Sequence, residues 1–210
     1  MSLRPRRMIF DANGLMFVTA DGEGKDDQAR ILSISVTDPD VPTLSASYSA
    51  NFAPFAAAAN ANGRFLYVTA PDQVVGYAYH YDGNGALTPL SSGGFSALAD
   101  ARSALLSPDG TRLYLASSTN GAVQCYAIGA DGIPVAKGAS VIAGVNPVGM
   151  TFDPDGKYLY VLSRGDDATA DSSTISGYSA LENCNLITVP GMPISAGSMA
   201  TTIGAAPFTP

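Results

Sequence analysis

The sequence contains no tryptophan, one histidine and two cysteines among its 210 residues. The absence of tryptophan counts against WD repeats, and the single histidine has no nucleophile or acid at a recognisable spacing. The 11 lysines and arginines form no dense run beyond RPRR at the N-terminus, so we expect no nucleic acid partner. No apolar run approaches the length of a membrane span. These absences count against WD repeats, nucleic acid binding and a membrane-spanning helix, but they indicate no particular function.

A secretory signal is not visible either, because Asp11 follows the short apolar run MIF directly and leaves no hydrophobic region. The compartment stays open: cytoplasmic or, for a truncated chain, periplasmic or secreted. The two cysteines, Cys125 and Cys184, do not decide it. Two reduced and partly buried thiols are the favoured interpretation, and a single disulfide is the alternative.

Four similar turns recur along the chain. The stretches MIFDANGLMFVTA, AAANANGRFLYVTA, LLSPDGTRLYLAS and MTFDPDGKYLYVLS place a turn glycine at Gly14, Gly63, Gly110 and Gly156. The steps between them are 49, 47 and 46 residues, which lie in the range of β-propeller blades. In each turn a short polar side chain bonds the backbone and the glycine supplies the positive φ. The sequence therefore predicts a repeat of antiparallel strands.

Each repeat contains four strand-like runs, and the second run carries apolar residues on both of its alternating faces, as in FLYVT and YLYVLS. A strand that is buried on both faces has this pattern, and a four-stranded blade between two other blades meets the condition. We expect an all-β chain with one β-propeller domain over residues 5–210. The blades are predicted at residues 5–50, 51–97, 98–143 and 144–200, with a single first strand of a fifth blade at residues 201–210.

The phrase SPDGTRLYLASSTNGAVQCYAIGADGIPV, residues 107–135, resembles the YVTN-type repeat of the lactonase-like seven-bladed propellers, which include 6-phosphogluconolactonase-like proteins. The resemblance covers residues 5–210 and implies the fold more strongly than an activity. Four blades and one strand are fewer than the seven of most members. We therefore expect either that the chain is a truncated piece of a longer protein or that another copy of it completes the ring. A strained ring of four blades is the less favoured alternative.

Two acidic loops are expected on the rim of the channel mouth. Several carboxylates on one rim are able to hold a hard cation such as Ca²⁺, although neither loop has the spacing of a defined calcium loop and solvated surface is the favoured interpretation. No other cofactor is expected. The candidate metal ligands are Asp21, Glu23, Asp26 and Asp27 in the first loop and Asp166, Asp167 and Asp171 in the second.

The resemblance also implies that the first strand of each blade lines the channel, where the family often has Asn-Pro-His-Gly. The residues at the histidine position here are Arg6, Phe55, Arg102 and Val148. Arg6 and Arg102 are candidates to bind a small anionic ligand at the channel mouth through their planar guanidinium groups. Exposure to solvent, or pairing with a carboxylate such as Asp100, is the favoured alternative.

Two functions remain. The missing histidines favour a non-catalytic binding or scaffold propeller, whereas the resemblance implies a lactonase-like or cycloisomerase-like enzyme that acts on a small anionic sugar or acid. Recurring tyrosines such as Tyr67 and Tyr114 are better explained by packing between blades than by a sugar-binding surface.

Overall fold

A computed structural model describes residues 3–22, 29–38, 40–60, 64–91, 94–166 and 168–205. Within these ranges the chain is nearly all β, and its helical structure is one 3-10 turn at Pro71–Gln73. The strands form four antiparallel sheets that follow one another along the chain. None of the helical structure described is long and apolar enough to cross a membrane.

The first two sheets each place four strands in sequence order. The first sheet contains β1 (Leu3–Phe10), β2 (Leu15–Gly22), β3 (Arg30–Ser35) and β4 (Thr43–Ser49). The second contains β5 (Ala57–Asn60), β6 (Phe65–Ala70), β7 (Val75–Tyr81) and β8 (Leu87–Pro89), and the short β9 (Phe95–Ser96) also pairs with β7.

The last two sheets repeat the arrangement. The third contains β10 (Ala101–Leu106), β11 (Arg112–Ser117), β12 (Ala122–Ile128) and β13 (Pro134–Ile142). The fourth contains β14 (Pro147–Phe152), β15 (Tyr158–Ser163), β16 (Thr174–Ala180) and β17 (Leu186–Thr188), with β18 (Ile194–Ser195) paired to β16. Residues 201–205 form no strand, and the rest of the predicted single strand lies outside the described residues.

The turns between first and second strands are held by their opening residues. Asp11 Oδ1 accepts hydrogen bonds from the N–H groups of Asn13 and Leu15, both at 2.8 Å. Gly14 closes this turn at φ 83°, a conformation that favours glycine. Asp153 Oδ1 accepts from the N–H of Tyr158 in the fourth sheet. An Asx-type turn therefore sets the hairpin that begins the first sheet and the one that begins the fourth.

The core consists of layers between successive sheets. Phe17 of the first sheet packs with Leu66 and Val68 of the second, and the other two boundaries are built in the same way. Tyr67 and Tyr114 are fully buried in these layers, which confirms their role in packing. Four four-stranded sheets that bury their flanks against each other form a propeller-like β fold, as the sequence predicts, and the described strands form no closed sheet.

The cysteines differ from the favoured expectation. Cys125 on β12 and Cys184 in the turn before β17 form a disulfide, and both are almost fully buried. The interpretation as two reduced thiols is therefore wrong. The two positions lie 59 residues apart in the chain, and the packing of the third sheet on the fourth brings their Cα atoms to 5.5 Å. Sequence spacing carries no information on such a contact.

Candidate functional site

Two β-bulges position the arginines that the sequence singles out. The pairing of β1 with β2 shifts register between Pro5 and Arg7, and that of β10 with β11 shifts between Ala101 and Ser103. Arg6 and Arg102 are the extra residues in these bulges. A bulge turns its side chain out of the regular alternation, which is why both arginines leave the sheet flanks.

The bulges bring both guanidinium groups to one aromatic ring. The Cζ atom of Arg102 lies 5.0 Å from the centroid of the Phe55 ring, and that of Arg6 lies 5.9 Å from it. Cations at this distance from an aromatic face are attracted by its quadrupole. The first three sheets therefore contribute one side chain each to a common cluster.

Each of the two arginines also has a carboxylate partner. Arg6 Nη2 lies 2.5 Å from Asp21 Oδ2, and Arg4 Nε lies 3.5 Å from the other oxygen of the same group. Arg102 Nε donates to Asp100 Oδ1 at 2.5 Å. The favoured alternative of pairing with a carboxylate is thus observed for both candidates, and it fixes their orientation around the ring.

Arg7 joins the cluster although sequence reasoning missed it. Its Cζ atom lies 5.4 Å from the Phe55 centroid, and its Nη2 donates to the carbonyl oxygen of Arg102 at 3.5 Å. Among the described residues it forms no ion pair. Burial, and then the charge of Arg102, lowers the pKa of Arg7. This guanidinium is the one in the cluster that retains an uncompensated charge.

A cleft of about 120 Å³ lies over the cluster. It is lined by residues of the first three sheets and their connections: Arg6, Asp21, Ala53, Pro54, Phe55, Pro71, Asp72 and Arg102. Asp72 is exposed and forms no ion pair with another described residue. The cleft therefore presents cations, an aromatic ring and a carboxylate together, in a chain whose formal net charge is −7.

Threonine hydroxyls on the second strands hold the cluster in place. Thr19 Oγ1 accepts the N–H of Arg7 at 3.2 Å and donates to the carbonyl oxygen of Phe55 at 2.6 Å. Thr69 Oγ1 accepts the N–H of Ala56 at 3.0 Å and donates to the carbonyl oxygen of Ala101 at 2.8 Å. Each threonine thus ties the first-strand region of its own sheet to that of the next. The repeated VTA of the first two repeats is the signal that sequence reasoning left unused.

The candidate metal ligands do not converge in the described part of the chain. Asp21 is held by Arg4 and Arg6, Asp166 Oδ1 accepts the N–H groups of Ala168 and Thr169, and Asp171 bonds Ser198. No group of three or more His, Cys, Asp or Glu side chains able to hold a metal lies among the described residues. Glu23, Asp26, Asp27 and Asp167 lie outside them.

Comparison with known proteins supports the fold. No protein-family model and no curated protein matches the sequence. Among solved structures, a candidate 6-phosphogluconolactonase from Bacteroides uniformis aligns with a TM-score of 0.74 and 23% identity, over 94% of this chain and 56% of its own. A second one, from Bacteroides fragilis, aligns with a TM-score of 0.73 and 18% identity over 95% and 57%.

The periplasmic gluconolactonase of Pseudomonas aeruginosa is also similar, with a TM-score of 0.70 and 17% identity over 94% of this chain and 56% of its own. The chain thus spans a little over half the length of these neighbours. Its resemblance to lactonase-like propellers is confirmed at the level of the fold.

Proposed function

We propose that this chain is part of a lactone hydrolase that binds a small anionic sugar lactone in the cleft over Phe55. The observation that carries the proposal is the cluster of Arg6, Arg7 and Arg102 around that ring, with Asp72 on the same cleft. The names of the structural neighbours support a lactonase over the non-catalytic module that the missing histidines favour.

The arginines supply binding and charge stabilisation in this proposal. Arg7 lies against the Phe55 ring beside the cleft and attracts the anionic group of the ligand, since no carboxylate among the described residues neutralises its charge. Arg102 is held by Asp100 and presents its remaining N–H groups to the cleft. A guanidinium N–H that faces the lactone carbonyl oxygen stabilises the negative charge that develops there.

Asp72 serves as the general base. Its carboxylate accepts a proton from water as the water oxygen bonds to the lactone carbonyl carbon, which forms a tetrahedral intermediate. The ring C–O bond then breaks, and the proton is delivered to the departing ring oxygen. The product is the open-chain hydroxy acid, and the step requires no oxidant, reductant or cofactor.

The test is hydrolysis of 6-phosphogluconolactone, followed as acid release above the spontaneous rate. We expect turnover, and expect Arg7→Ala to lower kcat/KM by about tenfold to a hundredfold, the scale of a lost hydrogen bond to a charged group. Asp72→Asn should lower kcat with little change in KM. The matched control is Lys157→Ala, which removes an exposed cation far from the cleft and should leave both constants unchanged.

A binding module without chemistry gives a different pattern. Calorimetry would then detect a sugar phosphate bound to the wild-type chain and weakened by Arg7→Ala, with no acid release above background. That result would indicate that the protein is a receptor for the same class of ligand and not a hydrolase. Unfolding by urea, measured on every variant, separates loss of function from loss of folding.

A further inference from the structure

One contact repeats at every boundary between the sheets. An aromatic side chain of a second strand packs on two aliphatic residues of the next second strand, which face backward along the chain. We call the aromatic side of a sheet its forward flank and the aliphatic side its backward flank. The three contacts are Phe17 on Leu66 and Val68, Tyr67 on Leu113 and Leu115, and Tyr114 on Leu159 and Val161.

Among the residues that the structure describes, none covers the backward flank of the first sheet in this way. By alignment of LMFVTA with FLYVTA, Met16 and Val18 hold the positions of Leu66 and Val68. Their cross-strand partners on β1 are Phe10, opposite Met16, and Met8, opposite Val18. These side chains therefore form one apolar surface on the side away from the second sheet.

This surface is much more exposed than the equivalent surface of the fourth sheet. Met8 and Phe10 are 59% and 58% exposed, whereas Met150 and Phe152, which face the third sheet, are each 9% exposed. The row continues from Met16 to Ile34 and from Ile34 to Leu44 on β4, which is 63% exposed. The open surface thus crosses all four strands.

The forward flank of the fourth sheet is the other half of the contact. Tyr160 holds the position of Phe17, Tyr67 and Tyr114, and it borders an open cavity of about 430 Å³ together with Ile175 and Ile194. Ile194 on β18 is 48% exposed. Ile203 lies next to Gly149 of β14, and residues 203–205 line the same cavity as Tyr160, while Ile194 stays about half exposed.

We propose that these two flanks bind each other between copies of this chain, head to tail, with Tyr160 of one copy on Met16 and Val18 of the next. A monomer rarely leaves a surface of this kind uncovered, because its burial against apolar atoms is favourable. The chain itself carries both halves of a contact that it already makes three times, so a second copy is a complementary partner. Such a contact is heterologous, and it closes a ring when the rotation between copies allows.

The experiment is sedimentation velocity of the 210-residue chain from low to high micromolar concentration. We expect concentration-dependent association, weakened about tenfold or more by Phe10→Lys on one flank and by Ile194→Lys on the other, since each places a charge in the buried contact. Both residues are about half exposed in the single chain, so neither substitution should prevent folding. Val135→Lys, on an exposed position of β13 away from both flanks, is the matched control and should associate like the wild type.

Mixing the two variants tests the head-to-tail arrangement. The Phe10→Lys chain keeps its forward flank and the Ile194→Lys chain keeps its backward flank, so an equimolar mixture should form a heterodimer that neither variant forms alone. A monomeric wild-type chain overturns the proposal, as does association that none of the lysines weakens. A mixture that stays monomeric also overturns it, because one intact contact between a forward flank and a backward flank should remain in the mixture.

Discussion

The hydroxyl of Thr19 donates a hydrogen bond of 2.6 Å to the carbonyl oxygen of Phe55, which lies 36 residues further along the chain. This bond joins the second strand of one sheet to the entry of the next. It fixes the backbone that carries the aromatic ring of the arginine cluster, and so connects the packing of the sheets to the geometry of the cleft.

Replacement of Thr19 by valine removes this bond while it keeps the volume of the side chain. We expect the free energy of unfolding to fall by about 1–3 kcal/mol, because Thr19 is fully buried and both the carbonyl oxygen of Phe55 and the N–H of Arg7 lose a partner. In the proposed hydrolase kcat/KM should fall as well, since the ring is less well positioned. Urea unfolding and lactone hydrolysis measure the two effects, and Thr188→Val on the exposed β17 should change neither.

The disulfide is expected to stabilise the chain substantially. It closes a loop of 59 residues, for which the chain-entropy model gives about 4 kcal/mol. The double variant Cys125→Ala, Cys184→Ala should therefore unfold at a clearly lower urea concentration than the wild type under oxidising conditions. If a reducing agent lowers the midpoint of the double variant as much as that of the wild type, the effect does not come from this disulfide.

Protonation of Asp109 at acid pH is expected to lower the free energy of unfolding. Burial raises its pKa, but hydrogen bonds from Ser107 and Thr111 and the charge of Arg112 outweigh this and lower it to about 2. The folded pKa is thus below the unfolded value of about 3.9, so the stabilisation is complete above pH 4 and is lost as the pH falls toward 2. Arg112 also donates to the carbonyl oxygen of Leu181 at 2.9 Å, so its guanidinium group connects the third sheet to the fourth.

Asp109→Asn should accordingly reduce the fall in unfolding free energy between pH 4 and pH 2. Urea unfolding across this pH range measures the change, and Asp155→Asn, at an exposed turn, serves as the control. An unchanged pH profile for Asp109→Asn would contradict the assignment.

Calcium is expected to bind weakly or not at all at Asp21. Both oxygens of this carboxylate already face arginines, and a cation would have to displace them. Isothermal titration of the chain with Ca²⁺ should show no heat that Asp21→Asn removes. A heat that this substitution abolishes would instead place a metal site on the first acidic loop.

The sequence predicts those parts of the molecule that depend on local spacing. Gly14 and Gly110 mark turns because positive φ and a preceding polar side chain act over a few residues. Tyr67 and Tyr114 follow from the repeat, since equivalent positions meet equivalent environments. The approach of Arg6 to Arg102 follows only with the resemblance to a propeller, because that resemblance assigns both to the channel.

Other features depend on geometry that a repeat period does not contain. Arg7 follows the bulge residue directly, and regular alternation would direct it and Arg6 to opposite faces of β1. The bulge places both near Phe55. The bond between Cys125 and Cys184 likewise depends on how closely two sheets approach at their outer edge.

The bulges have a consequence for how this fold acquires new specificity. Arg6, Phe55 and Arg102 lie outside the three apolar layers that hold the sheets together. Exchange of these side chains alters what the cleft recognises at little cost to folding, so selection is able to change the ligand and the scaffold almost independently.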